Sequence, residues 1–95
     1  MKTIKVAGVN YNVKHVNKLM DDYDYLGHIN YPNNEIKIDE GISEERKAQV
    51  LIHEMLHAIF YESGYDEQDE DMINRVGITL HQVLRDNDFS FMNER

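Results

Sequence analysis

Val50-Leu51-Ile52-His53-Glu54-Met55-Leu56-His57-Ala58-Ile59-Phe60-Tyr61 is the stretch on which the reading of this chain turns. Apart from the terminal Tyr61, its only ionisable side chains are His53, Glu54 and His57, set among apolar neighbours. A helix of this composition is expected to be buried on most sides. On it His53 and His57 stand one turn apart, so both imidazoles reach a single metal ion, and Glu54 lies about 100° of arc from His53. Two metal ligands and a base therefore share one patch.

With five His and nine Glu in 95 residues, chance supplies roughly 0.02 occurrences of an H-E-x-x-H pattern, before any demand for a helix around it. The competing reading is a surface helix with two solvated imidazoles and an idle carboxylate. The apolar surroundings argue against it, because a buried charge without a partner costs several kcal/mol or neutralises itself. A bound metal and its water satisfy all three groups.

Ninety-five residues with 41% hydrophobic side chains suit one soluble domain spanning residues 1–95. No apolar run approaches the ~18 residues of a membrane span, and the strand-like start at Met1 to Val6 has no signal-like apolar region, so a cytoplasmic protein is expected. The absence of Cys excludes disulfides and thiolate zinc sites, leaving His, Asp and Glu to hold any metal. A net charge of −8 disfavours direct nucleic-acid binding, which needs a basic surface. Most of the excess acid is local, at Asp21 to Asp24 and Asp66 to Asp71, and serves solubility.

Ile4 and Val6 share one face of a strand, a turn is expected at Gly8-Val9-Asn10, and Tyr11 with Val13 begins the return. A short helix is one reading of Val16 to Asp24. Alternation resumes over Tyr25, Gly27, Ile29 and Tyr31, turns at Pro32-Asn33-Asn34, and continues through Ile36 and Ile38. A small antiparallel sheet is implied. Ser43 is the expected N-cap of the motif helix, with Glu44 and Glu45 favourable to its dipole, and Ser63-Gly64 its stop near Glu62. Asp69 is the expected N-cap of a second helix from Glu70 to about Arg85, with a stripe of Met72, Ile73, Val76, Leu80, Val83 and Leu84. The fold class is thus α+β. The tail from Asp86 is polar except for Phe89, Phe91 and Met92.

A catalytic zinc centre takes three protein ligands and a water. With Asp69 occupied as a cap, Glu70 has the reach and flanks the stripe about 60° from Ile73, while Asp71 points elsewhere. Glu70 is the expected third ligand, and Asp69 the runner-up. His81 lies three turns further on the same flank. The chemistry that follows is peptide-bond hydrolysis by a metal-activated water, with Glu54 as general base and then as proton donor to the leaving amine. Tyr61 and Tyr65 are candidates for stabilising the oxyanion, although rim packing is the commoner use of such rings.

Leu51 to Ile59 with its H-E-x-x-H core, then Glu70 and the helix to Leu84-Arg85-Asp86-Asn87, resembles the zincin-type metallopeptidases. Within them the chain is similar to short phage- and prophage-encoded zinc peptidases, a likeness extending to Val9-Asn10-Tyr11-Asn12-Val13 and Gly27-His28-Ile29-Asn30-Tyr31. It is more distantly similar to the ImmA/IrrE group, in which a downstream glutamate followed by an Ala-Asn pair begins the next helix; Glu70 and Asn74 match, and Ile73 stands where that group has alanine. The resemblance implies a minimal zincin-like domain: a small antiparallel sheet beside an active-site helix, with a second C-terminal helix delivering the glutamate. It also implies Zn²⁺ and a peptide or protein substrate, for example a regulatory protein in a phage setting. In such folds an exposed strand edge aligns an extended peptide, here Glu35 to Asp39 or the Tyr25 to Tyr31 strand. His28 on the latter is expected to face solvent.

A different class of function fits the same residues: a non-catalytic, acidic, metal-stabilised protein that sequesters a protein partner. Small size, which leaves little wall for a specificity cleft, favours it, whereas Glu54, an ionisable base useless to a structural site, favours the enzyme.

Overall fold

The computed structural model describes residues 2–19 and 25–93. Among the described residues four strands, β1 (Lys2–Val6), β2 (Val9–Val16), β3 (Gly27–Asn30) and β4 (Glu35–Asp39), precede two long helices, α1 (Glu44–Glu62) and α2 (Glu70–Asp86). Among the described residues no helix is long and apolar enough to cross a membrane.

The sheet order is β1-β2-β4-β3. The β1–β2 and β3–β4 pairs are antiparallel hairpins, but β2 and β4 run parallel, Val13 beside Ile36 and His15 beside Ile38. The sheet is therefore mixed, where alternation alone suggested an antiparallel one. The reason is burial. The β3–β4 hairpin joins the sheet as a unit, and β4 carries the two isoleucines, Ile36 and Ile38, that are 0% and 1% exposed. Seating β4 centrally covers both, and its direction follows. β3, with Gly27, His28 and Asn30, is left as an edge strand among the described residues.

The first turn is Ala7-Gly8, one step earlier than expected, since Val6 pairs directly with Val9. Both turn residues have positive φ, 50° and 82°, as a two-residue hairpin matching strand twist requires. The register places Tyr11, Val13, Ile36 and Ile38 on the face that α1 covers. The opposite face is polar, with Lys14 and Lys37 flanking Glu35 at 2.7 and 3.7 Å. Of the stretch Val16 to Asp24, for which a short helix is one expectation, Val16 is the last residue of β2, and residues 20–24 lie outside the described residues.

Ser43 caps α1 as expected, its Oγ accepting from the Arg46 amide at 3.1 Å. The helix ends at Ser63-Gly64, where Gly64 takes φ +99° and the amides of Ser63 and Gly64 return to Ile59 and Tyr61. Its last residue ties it to the sheet: the Tyr11 hydroxyl donates to Glu62 Oε2 at 2.6 Å. Burial and that carboxylate both push the Tyr11 phenol above its usual range.

α1 is the middle layer, with the sheet on one flank and α2 on the other. With α1 its main neighbour among the described residues, α2 fully buries Ile73 and Gly77. Met72, Val76 and Leu84 of the expected stripe remain 40%, 44% and 43% exposed. α1 is also less enclosed than its composition suggested, with Ile59 37% exposed. Beyond α2, Ser90–Asn93 form one 3₁₀ turn whose Phe91 and Met92 are exposed.

Candidate metal centre

The four-residue spacing on α1 sets the rings of His53 and His57 at 4.9 Å between centroids. α2 runs back along α1, and its first residue, Glu70, delivers a carboxylate to both imidazoles. Oε1 lies 2.7 Å from His53 Nε2, and Oε2 lies 3.1 Å from His57 Nε2. The donor atoms of the three residues all lie within 4.8 Å of one another.

Asp69, the runner-up ligand, is occupied otherwise: its Oδ1 accepts from the amides of Asp71 and Met72 at 2.9 and 3.3 Å. That is the N-cap role the spacing predicted, and it frees Glu70 to turn toward α1.

The environment of His57 sets its proton. Gln68 Nε2 lies 3.3 Å from the carbonyl of His57 and 3.5 Å from that of Tyr65. Carbonyls only accept, so the amide nitrogen must face them, and Gln68 Oε1 is the atom 2.6 Å from His57 Nδ1. Nδ1 therefore carries hydrogen and donates, which leaves the Nε2 lone pair directed at the Glu70 carboxylate. Two acceptors 3.1 Å apart come together only with a shared proton or a metal ion between them. The donor set of two imidazoles and one carboxylate is that of a metal site with an open position. Gln68 supplies the outer hydrogen bond that metal-bound histidines commonly have.

Glu54 stands on the flank of α1 that faces β3 and is 7% exposed. Burial is the main reason its carboxyl is pushed up to about 7, with the charge of Glu70 adding to the rise and His57 opposing it. The space it occupies depends on Gly27. A Cβ at that position would sit 2.4 Å from Val50 Cγ1 and 3.2 Å from Glu54 Oε2, so β3 approaches α1 this closely only because residue 27 has no side chain.

A cleft of about 690 Å³ opens over this face of α1, walled by β3 with Tyr25 on one side and α2 on the other. A smaller hollow of about 190 Å³ continues past Glu54 and His57 toward Ile29 and Tyr31. Together they form a groove through the His53–His57–Glu70 group. Of the two edges considered from sequence, Glu35 to Asp39 is interior, and Gly27–Asn30 is the one that borders the groove.

His81 and Asn74 both line the larger cleft. His28 stacks on Tyr25 at 5.5 Å beside the smaller hollow. Tyr61 instead stacks on Tyr31 at 4.1 Å, and Tyr65 is 58% exposed with its ring edge-on to Phe60; neither borders the groove. Tyr31 does, its phenol raised above the usual range chiefly by burial, and its hydroxyl accepts from Gln68 at 3.4 Å. Gln68, Gly27 and Tyr31 are the site residues that sequence reasoning missed. Only Gln68 left a signal, as the one neutral side chain in the acidic run 66–71, at a distance from which a motif histidine can find its outer partner. No protein-family model, curated protein or solved structure matches this chain.

Proposed function

We propose that this protein is a zinc-dependent metallopeptidase with His53, His57 and Glu70 as metal ligands and Glu54 as general base. The observation that carries the proposal is the Glu70 carboxylate meeting Nε2 of both histidines at 2.7 and 3.1 Å, beside a buried acid whose carboxyl is poised near neutrality. Bound zinc supplies Lewis acidity, lowering the pKa of water from about 15.7 to about 7 and polarising a carbonyl. Glu54 takes the water proton and hands it to the leaving amine, a shuttle suited to a group titrating near the working pH. Gln68 holds His57 in the tautomer that presents Nε2. The β3 edge offers its free backbone groups to an extended peptide, and Gly27 keeps that strand close over Glu54.

The second reading, a metal-stabilised protein that sequesters a partner, draws on exposed apolar side chains such as Ile78, Phe91 and Met92 at 73%, 63% and 71%. One experiment separates them. Purified without an affinity tag and reconstituted, the protein should hold about one zinc, lost in His53→Ala/His57→Ala. Glu54→Gln should keep metal and fold but lose peptide hydrolysis by roughly 10²- to 10⁴-fold. A zinc-loaded wild type that cleaves nothing in a broad peptide library, yet captures a partner equally well with Gln at position 54, establishes the second reading.

A further inference from the structure

Of the four basic side chains on the two helices, Lys47, Arg75 and Arg85 each hold a carboxylate, at 3.0, 3.0 and 2.9 Å. Arg46 holds none among the described residues. It lines the larger cleft, as do His81, Gln49 and Asn74. In a chain of net charge −8, a guanidinium left without an acid partner at the end of a groove is an unsatisfied attraction for an anion.

Its position is set by helix geometry. The helices are antiparallel: Glu45 near the start of α1 and Arg85 near the end of α2 attract one another, and Gly77 is level with His53, to whose Cα a Cβ there would lie at 4.0 Å. Arg46 precedes His53 by seven residues, about 10 Å of helix, and His81 follows Gly77 by four, about 6 Å. Both groups therefore lie on the same side of the metal centre and face the cleft from opposite helices. An extended peptide advances about 3.3 Å per residue, so this end of the groove meets the side chain two or three positions from the bond over the metal ligands.

We propose that Arg46 and His81 form a subsite for an acidic side chain of the bound peptide, two to three residues from the scissile bond. The proposal rests on the reading of the groove as a peptide site. Arg46 offers a planar two-pronged donor suited to a carboxylate, His81 a further N–H, and Gln49 and Asn74 amides for the peptide backbone. The chain is thus selective for acidic segments although its own surface is acidic.

The test uses zinc-loaded Glu54→Gln protein, in which bound peptide persists, and a positional-scanning decapeptide library with each position in turn Asp, Asn or Lys, read by fluorescence anisotropy. Asp should be favoured over Asn at one position by roughly fivefold, the scale of a partly solvated ion pair, and less so at high salt. Arg46→Gln should erase the preference and Arg46→Glu should shift it to Lys. Because Arg46 is exposed and only its backbone amide takes part in the cap, these variants should melt like the parent. No positional preference for Asp, or a preference that Arg46→Glu leaves unchanged, overturns the subsite. Hydrolysis by the wild type without any acidic preference removes the subsite and keeps the peptidase; a preference reversed by Arg46→Glu in a protein that hydrolyses nothing keeps the subsite and removes the peptidase.

Discussion

Replacing Gly27 by Ala places a methyl group 2.4 Å from Val50 Cγ1 and 3.2 Å from Glu54 Oε2. Ordinary carbon contacts lie at about 3.5–4.0 Å, so β3 and α1 must separate by roughly 1 Å or Val50 must leave its rotamer. Valine is stiff at χ1, which makes the second route costly. Overpacking of this kind costs about 1–3 kcal/mol. Against it stands the entropy that Ala removes from the unfolded chain, about 0.4–1 kcal/mol in the stabilising direction. The clash is the larger effect, leaving a net loss of about 1–2 kcal/mol, or a fall in Tm of roughly 5–15 °C for a domain this size. Thermal unfolding followed by circular dichroism measures it. Attribution comes from a double-mutant cycle: Val50→Ala removes the methyl group that Gly27→Ala collides with, so the pair should be more stable than the sum of the single losses by about 1 kcal/mol. A Tm for Gly27→Ala at or above wild type, or strictly additive losses, would refute the account of Gly27 as the residue that lets β3 close over Glu54.

Gln68→Ala should weaken zinc binding by roughly 10- to 100-fold in a competitive chelator titration, whereas Asp69→Ala should cost about 1 kcal/mol of stability through the lost cap and leave zinc affinity near that of wild type. In metal-free protein Glu54 contributes to a pH dependence of stability whose sign follows from its raised carboxyl: the contribution is fully present below about 4.5, is lost as pH rises through about 7, and amounts to about 3 kcal/mol. Denaturant titrations from pH 4 to 8 should show this decline in wild type with chelator and a smaller one in Glu54→Gln. Zinc at about 100 times its Kd should add about 2.7 kcal/mol of stability, and hydrogen exchange should slow more in α2 than in β2.

Much of this arrangement is legible in the sequence, and what is missing has identifiable causes. Ser43, Asp69 and Gly64 declare both helices, because capping and the left-handed stop are local requirements that few residues meet. His53, Glu54 and His57 stand out because three ionisable side chains lie within five residues on one apolar helix, and Glu70 ranks above Asp69 as their partner once Asp69 is taken up as the cap. Sheet order is a different matter. Alternation at Ile36 and Ile38 fixes which face of β4 is buried but says nothing about its neighbour, so the parallel β2–β4 pairing depends on competition among strands for the central position. Gly27 is invisible for a related reason. Its significance is the 2.4 Å a Cβ would leave to Val50, a distance between elements more than twenty residues apart. The stripe of α2 misled because periodicity reports which side of a helix is apolar, not how much of that side its neighbours can reach.

That shortfall in α2 bears on what the metal does for the fold. Among the described residues α2 packs chiefly on α1, fully burying Ile73 and Gly77. Its first residue nevertheless carries a carboxylate to two imidazoles of the neighbouring helix, one of which presents a lone pair rather than a proton. A metal ion held there would join acceptor to acceptor and so link the two helices. The residues that would bind the ion bridge the same two helices that Ile73 and Gly77 pack together, so ion binding and assembly of the groove between β3 and α2 would be coupled. The proposed ligand set would then complete the wall that the apolar residues of α2 leave unfinished.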